Sequence, residues 1–167
     1  MNYPPIGLLA AIHAETISPE TWKAWADREI LRTEQPPMWI IDLSIANDFS
    51  EAWKAIGESV QDTESLPSAQ LDEAALGLIS LNYLKGGIDF CHYLRRAGDH
   101  TDPSSCSTDC EYFYHHLNGI ESSSNPEEYE RMARSEIEQY LAEAIELGKI
   151  AQAQIKPITE PVDRGNG

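Results

Sequence analysis

The stretch CHYLRRAGDHTDPSSCSTDCEYFYHH gathers the side chains with the most chemical potential: Cys91, His92, His100, Cys106, Cys110, His115 and His116. Zinc would need three or four such groups converging on one point. Cys106 and Cys110 stand i, i+4 apart, and Glu111 and His115 repeat that spacing one residue on. Yet Cys110, Phe113, Tyr114 and Leu117 follow the i, i+3, i+4, i+7 pattern of an apolar helical stripe. At about 100° per residue, His115 then points about 140° away from Cys110, so one helix cannot offer both to one metal. The chain also lacks C-x2-C, H-E-x2-H and E-x2-H pairs. The segment is read as holding no metal and no cofactor.

A cysteine nucleophile with a histidine base is the second chemistry to weigh. Cys91 shares an apolar stripe with Ile88 and Leu94, where a thiol is buried and inert. Cys106 lies in a Ser-rich loop and is expected to be the exposed thiol. No G-x-S-x-G, Walker A or G-x-G-x2-G motif is present. Lys85-Gly86-Gly87 reads as a helix stop rather than a phosphate loop. No catalytic residue is assigned, and the chain reads as a binder before an enzyme. An enzyme or metal-binding protein built on residues 91–116 remains the alternative.

The elements that would position these residues are helical. Ser18 can cap a helix with Pro19 at N1 and Glu20 in its first turn. Ile17 and Trp22 have hydrophobic-staple spacing, and Trp22, Trp25, Ala26 and Ile30 form one stripe. Pro36-Pro37 breaks that helix and opens MWIIDLSIA, which is apolar nearly all round and could also be a buried strand. A helix from Ser50 carries Trp53, Ile56 and Val60, and GESVQDTESLPS is a polar linker. Ser68 can cap a helix ending at Gly86-Gly87. IDFCHYLRRAG is a short helix, and another runs from a Thr108 cap to an Asn118-Gly119 stop. Asn125 caps the longest helix, reaching about Ala153, with a coiled-coil-like seam of Tyr129, Met132, Ala133, Ile137, Tyr140, Leu141, Ala144 and Gly148.

The expected fold is an all-α, single-domain bundle of about six to eight helices with a long C-terminal helix. The domain covers 1–155, and 156–167 form a flexible C-terminal tail. Trp22, Trp25, Trp39, Leu43, Trp53, Leu78 and Ile137 are the expected core.

With 12 basic and 28 acidic residues in a chain of 167, the net charge is −16. The excess is spread along the chain. Such a field repels nucleic-acid phosphates and anionic lipid, and it attracts basic partners. Ile6 to Ile12 is apolar but too short to cross a membrane, and no basic residue precedes it. Three cysteines in no framework spacing suit reduced thiols without a disulfide. Nucleic acid and membrane are thus set aside as partners, and a cytoplasmic location is expected.

The pattern W-x2-W-A-D-x3-I, Trp22 to Ile30, followed by P-P-x-W-I-x-D-L-S-x-A, Pro36 to Ala46, resembles small uncharacterised bacterial helical proteins. Some of these look like immunity proteins of polymorphic toxin systems. These positions are core and capping residues, so the resemblance speaks to fold before activity. Taken with the lack of a recognisable catalytic motif and the spread net charge of −16, it leads to the expectation of an acidic immunity or inhibitor protein that neutralises a basic toxin or enzyme by stoichiometric binding. The contact surface is expected where exposed acids lie beside aromatics: Asp99, Asp102, Asp109, Glu111, Tyr112 and Glu121. A self-associating scaffold, pairing through the C-terminal helix as a dimer, is a further alternative.

Overall fold

The computed structural model describes residues 5–60 and 68–159. Nine helices and no strand occur among the described residues, so the chain is all-α. They are α1 (Ile6–His13), α2 (Pro19–Arg32), α3 (Met38–Ile45), α4 (Phe49–Val60), α5 (Ser68–Leu84), α6 (Phe90–Thr101), α7 (Cys110–Ser122), α8 (Pro126–Tyr140) and α9 (Ala142–Thr159). No helix among the described residues is long and apolar enough to cross a membrane. The chain expected as one domain over 1–155 groups by its contacts into two compact units. Met1–Leu66 and Ala151–Gly167 form the first, and Pro67–Ile150 forms the second.

The first unit is built on tryptophan. Ser18 caps α2, accepting a hydrogen bond from the Thr21 amide, and Pro19 opens the helix. Trp22, Trp25 and Ala26 then face inward. The Trp22 indole donates to the Ala46 carbonyl at 3.4 Å and meets Phe49 edge-on. Trp25 stacks on Trp39 with ring centroids 5.9 Å apart. The apolar run Ile6–Ile12 is a helix, buried from Gly7 to Ile12, that periodicity alone did not announce. Its Gly7 amide donates to the Gln154 side chain, satisfying one of the orphan donors at a helix start. MWIIDLSI is a helix and not a strand, and it is only half central. Trp39, Ile40 and Leu43 are buried, while Met38, Ile41 and Ile45 are exposed.

Trp53 corrects the expected core. It is 37% exposed, with its ring against His13. α4 points Ala52 and Ile56 inward, both fully buried. Trp53 is one residue, about 100°, from Ala52 and lands on the rim. This helix starts at Phe49, before the expected Ser50, because Asp48 caps it by accepting from the Glu51 amide. At the other end of the chain, α9 runs through Thr159 with Ile158 buried, so residues 156–159 are helix rather than tail. The rest of the expected tail, 160–167, lies outside the described residues, as does most of the expected linker, at 61–67.

The second unit is built on close helix approach and on tyrosines with polar partners. A Cβ on Gly148 would lie 2.5 Å from the Gly77 carbonyl carbon, and one on Gly77 would overlap the Ala144 carbonyl. α5 and α9 therefore pack backbone to backbone at this point. Tyr93, fully buried, stacks on Tyr83 and shares a hydrogen bond with Ser80. The Tyr83 hydroxyl donates to Glu130 at 2.9 Å, and Arg134 lies over the Tyr83 ring.

Three boundaries in this unit differ from expectation. Asp109, not Thr108, caps α7, and Thr108 is buried instead. α7 runs past Asn118-Gly119 to Ser122. Gly119 serves close packing rather than a stop, because the Tyr129 hydroxyl occupies the space a Cβ would need. The expected long helix is broken at Leu141 (φ −98°, ψ 19°) into α8 and α9. Leu141 still donates to Ile137 and accepts from Ile145, so the break is a kink in a continuous ladder.

Candidate functional site

α6 and α7 are joined by the loop 102–109, and carboxylates on α5 fasten that loop. The Ser105 amide donates to Asp72 at 2.8 Å, and the Ser107 amide donates to Glu73 at 2.6 Å. A short polar loop with unpaired amides is held in place this way without a core of its own. Gly98 lets the Tyr114 ring lie against α6, since a Cβ there would come within 2.9 Å of it.

Three of the expected surface residues come together at this end of the hairpin. Asp99 accepts from the Tyr114 hydroxyl at 2.7 Å, Asp102 accepts from the Cys110 thiol at 3.5 Å, and Asp109 caps α7 through the Glu111 amide. All three aspartates are exposed, and Glu111 is exposed in the first turn of the same helix. Glu121 does not join them. It lies ten residues further along α7, about 15 Å away, and pairs with Arg95 at 3.1 Å. Tyr112 does not join them either. Its ring stacks on Tyr140 with centroids 4.3 Å apart and meets Phe113 and His116 edge-on. Its hydroxyl is buried without a protein hydrogen-bond partner.

Among the described residues, the Cys and His side chains of 91–116 do not by themselves gather into a group of three that could hold a metal. Cys91, Cys106 and Cys110 are free thiols, each half-buried. Cys106 is thus less exposed than expected, because the flanking serines tie its loop down. Burial pushes its thiol up to about 11. Desolvation, with hydrogen bonds to Asp109 and Asp102, pushes Cys110 up to about 11 as well. Burial also raises Cys91. All three stay protonated at neutral pH, the opposite of an activated nucleophile. His115 is exposed, but His116 is buried, which overturns the expected α7 stripe of Cys110, Phe113, Tyr114 and Leu117. The inward positions are Phe113, His116 and Ile120. His116 has Nδ1 3.2 Å from the Tyr129 hydroxyl and Nε2 3.7 Å from Glu136. Burial lowers its pKa, and Glu136 opposes that shift.

Beside the aspartate turn lies a groove of about 340 Å³ within the second unit. Ser107 and Thr108 of the loop line it together with Glu73 of α5, Tyr140, and Glu143 and Leu147 of α9. Tyr140 is 56% exposed there, not buried in a seam. None of the residues lining the groove is basic. The sequence gives no local sign of this groove, because its walls come from three separated segments. No known protein family, curated protein or solved structure matches the chain.

Proposed function

We propose that this protein acts by stoichiometric binding to a basic protein, in the manner of an immunity protein that neutralises a toxin or enzyme. The observation that carries this reading is the α6–α7 turn, where Asp99 in the last turn of α6 and Asp102 and Asp109 at the ends of the loop stand exposed, with the loop hydrogen-bonded to α5. A rigid acidic surface binds with little ordering cost. The net charge of −16 would steer a basic partner toward it, and steered encounter can approach ~10⁸–10⁹ M⁻¹s⁻¹ at low salt. The resemblance around the two tryptophan motifs points the same way. Protonated thiols weigh against a cysteine-nucleophile enzyme built on 91–116. The self-association alternative loses most of its seam, since Ala133, Ile137, Leu141, Ala144 and Gly148 are buried within the protein's own fold.

The test is capture from the native host at low salt, followed by co-expression with the product of the neighbouring gene. Expected is a 1:1 complex whose association rate falls steeply with added salt and falls again in the Asp99→Asn, Asp102→Asn, Asp109→Asn triple variant. Turnover of a small molecule with no protein retained would replace this reading with an enzymatic one.

A further inference from the structure

We infer that the groove between α5 and α9 is an anchor pocket for one arginine side chain of the basic partner, an inference that rests on the binding reading above. Its volume, about 340 Å³, falls near the bottom of the ~300–1,000 Å³ range of ligand pockets. That suits a single long side chain or a small cation and excludes a folded element. Its lining divides in the way an arginine divides. Leu141, Ala144 and Leu147 offer an apolar floor for the methylene stem. Tyr112 covers one face of the Tyr140 ring, and the exposed remainder of that ring offers a surface for a guanidinium to stack on. Glu73 and Glu143 supply two carboxylates. One Glu73 oxygen is committed to the Ser107 amide, which fixes the carboxylate in place and leaves its other oxygen to accept.

The same lining rejects other ligand classes. An anion would meet two carboxylates with no basic residue to offset them. A wholly apolar ligand would strip water from those carboxylates with nothing in exchange. A lysine would satisfy one carboxylate as a point charge, but it lacks the planar fork and the stacking face. A protein source is favoured over a free small molecule by continuity. The groove wall at Ser107 and Thr108 runs directly into Asp109 of the exposed acidic turn, so pocket and acidic surface would meet one partner together.

The pocket is tested on the isolated protein by amide-resolved NMR titration with N-acetyl-arginine amide, and with the citrulline analogue as the uncharged isostere. Expected are saturable shifts centred on Ser107, Thr108, Ala144 and Leu147, with arginine about tenfold tighter than citrulline. Glu143→Gln and Tyr140→Ala, both at exposed positions, should each weaken arginine about three- to fivefold, the scale of one partly exposed contact. Shifts that never saturate, or that spread evenly over every acidic surface, overturn the pocket, as does equal binding of citrulline. The two readings fail separately. A captured basic partner whose Kd is unmoved by Glu143→Gln and Tyr140→Ala sinks the anchor pocket and leaves the binding function standing. Saturable, arginine-selective titration with no basic protein ever captured overturns the protein source and assigns the groove to a free guanidinium compound.

Discussion

The two units solve the same packing problem with different residues. The first fills its interior with large indoles: Trp22, Trp25 and Trp39 contact one another or Phe49, and among the described residues one hydrogen bond, from Trp22 to Ala46, ties an indole down. The second brings backbones together at Gly77 and Gly148 and fills the remainder with tyrosines whose hydroxyls reach Ser80 and Glu130. Bulk burial tolerates error in direction but not in volume. Close approach tolerates no added atoms, and buried hydroxyls tolerate no lost partner. The unit with the more exacting interior is also the one that carries the rigid acidic turn and its groove.

The largest effect should come from the first unit. Trp22→Ala removes a fully buried indole and should cost about 3–5 kcal/mol, read as a lower urea midpoint at unchanged slope. Trp53→Ala removes the same side chain from a rim position, 37% exposed, and should cost about 1 kcal/mol or less. Equal costs would break the claim that burial, not residue type, decides which tryptophans matter.

Next comes the glycine contact. Gly77→Ala places a methyl group against the Ala144 backbone, which cannot swing aside as a side chain would. A loss of about 1–3 kcal/mol is expected from overpacking. Gly57→Ala in α4 meets nothing within 4 Å and should instead gain about 0.5–1 kcal/mol, the helix preference of alanine over glycine. Thermal midpoints moving in opposite directions would confirm the contrast, and a tolerated Gly77→Ala would remove it.

These glycines also show where sequence reading reaches its limit. The α2 cap at Ser18 and its tryptophan stripe are legible because both signals are local, confined to one turn or one helix face. Asn125 as the α8 cap is legible for the same reason. Gly119 looks like a stop in sequence and is a contact in space, because the Tyr129 hydroxyl that needs the room is on another helix. Likewise, His116 lies off the apolar stripe read from the sequence, yet it is buried, and its partners Tyr129 and Glu136 come from α8. At the candidate site, Asp99, Asp102 and Asp109 are legible as a loop-end cluster. Glu73, Tyr140 and Glu143 are not, since only the fold brings them to one groove.

His116 gives the second unit a pH dependence that the first has no counterpart for among its described buried residues. Its folded pKa is lowered, chiefly by burial, from an ordinary value of 6.5. Between that value and the lower folded one, the unfolded chain binds more protons than the folded chain. Stability is then fully present above about pH 6.5 and falls as the pH drops through the window below it. Urea midpoints from pH 7.5 down to 5 should show this decline, and His116→Gln should flatten it. A His116→Gln curve parallel to that of the parent would assign the decline to the carboxylates instead.

The smallest expected effect carries the opposite sign and concerns two tyrosines of the second unit. Tyr83→Phe removes a hydroxyl that donates to Glu130, and a loss of about 1 kcal/mol is expected, below the ~1.5–3 kcal/mol typical of bonds to charged groups because the site is only partly shielded. Tyr112→Phe removes a hydroxyl that is buried with no protein partner. Taking a polar atom out of such a place relieves its desolvation cost, while the ring keeps its stack on Tyr140. Tyr112→Phe should therefore leave stability unchanged or raise it by up to about 1 kcal/mol. The same variant bears on function. A buried hydroxyl cannot contact a partner, so Tyr112→Phe should bind the captured protein as the parent does, whereas Tyr140→Ala should not. Loss of stability in Tyr112→Phe would mean that a buried water completes the hydroxyl. The second unit would then keep every buried hydroxyl paired, and its contrast with the sparsely bonded indoles of the first would sharpen.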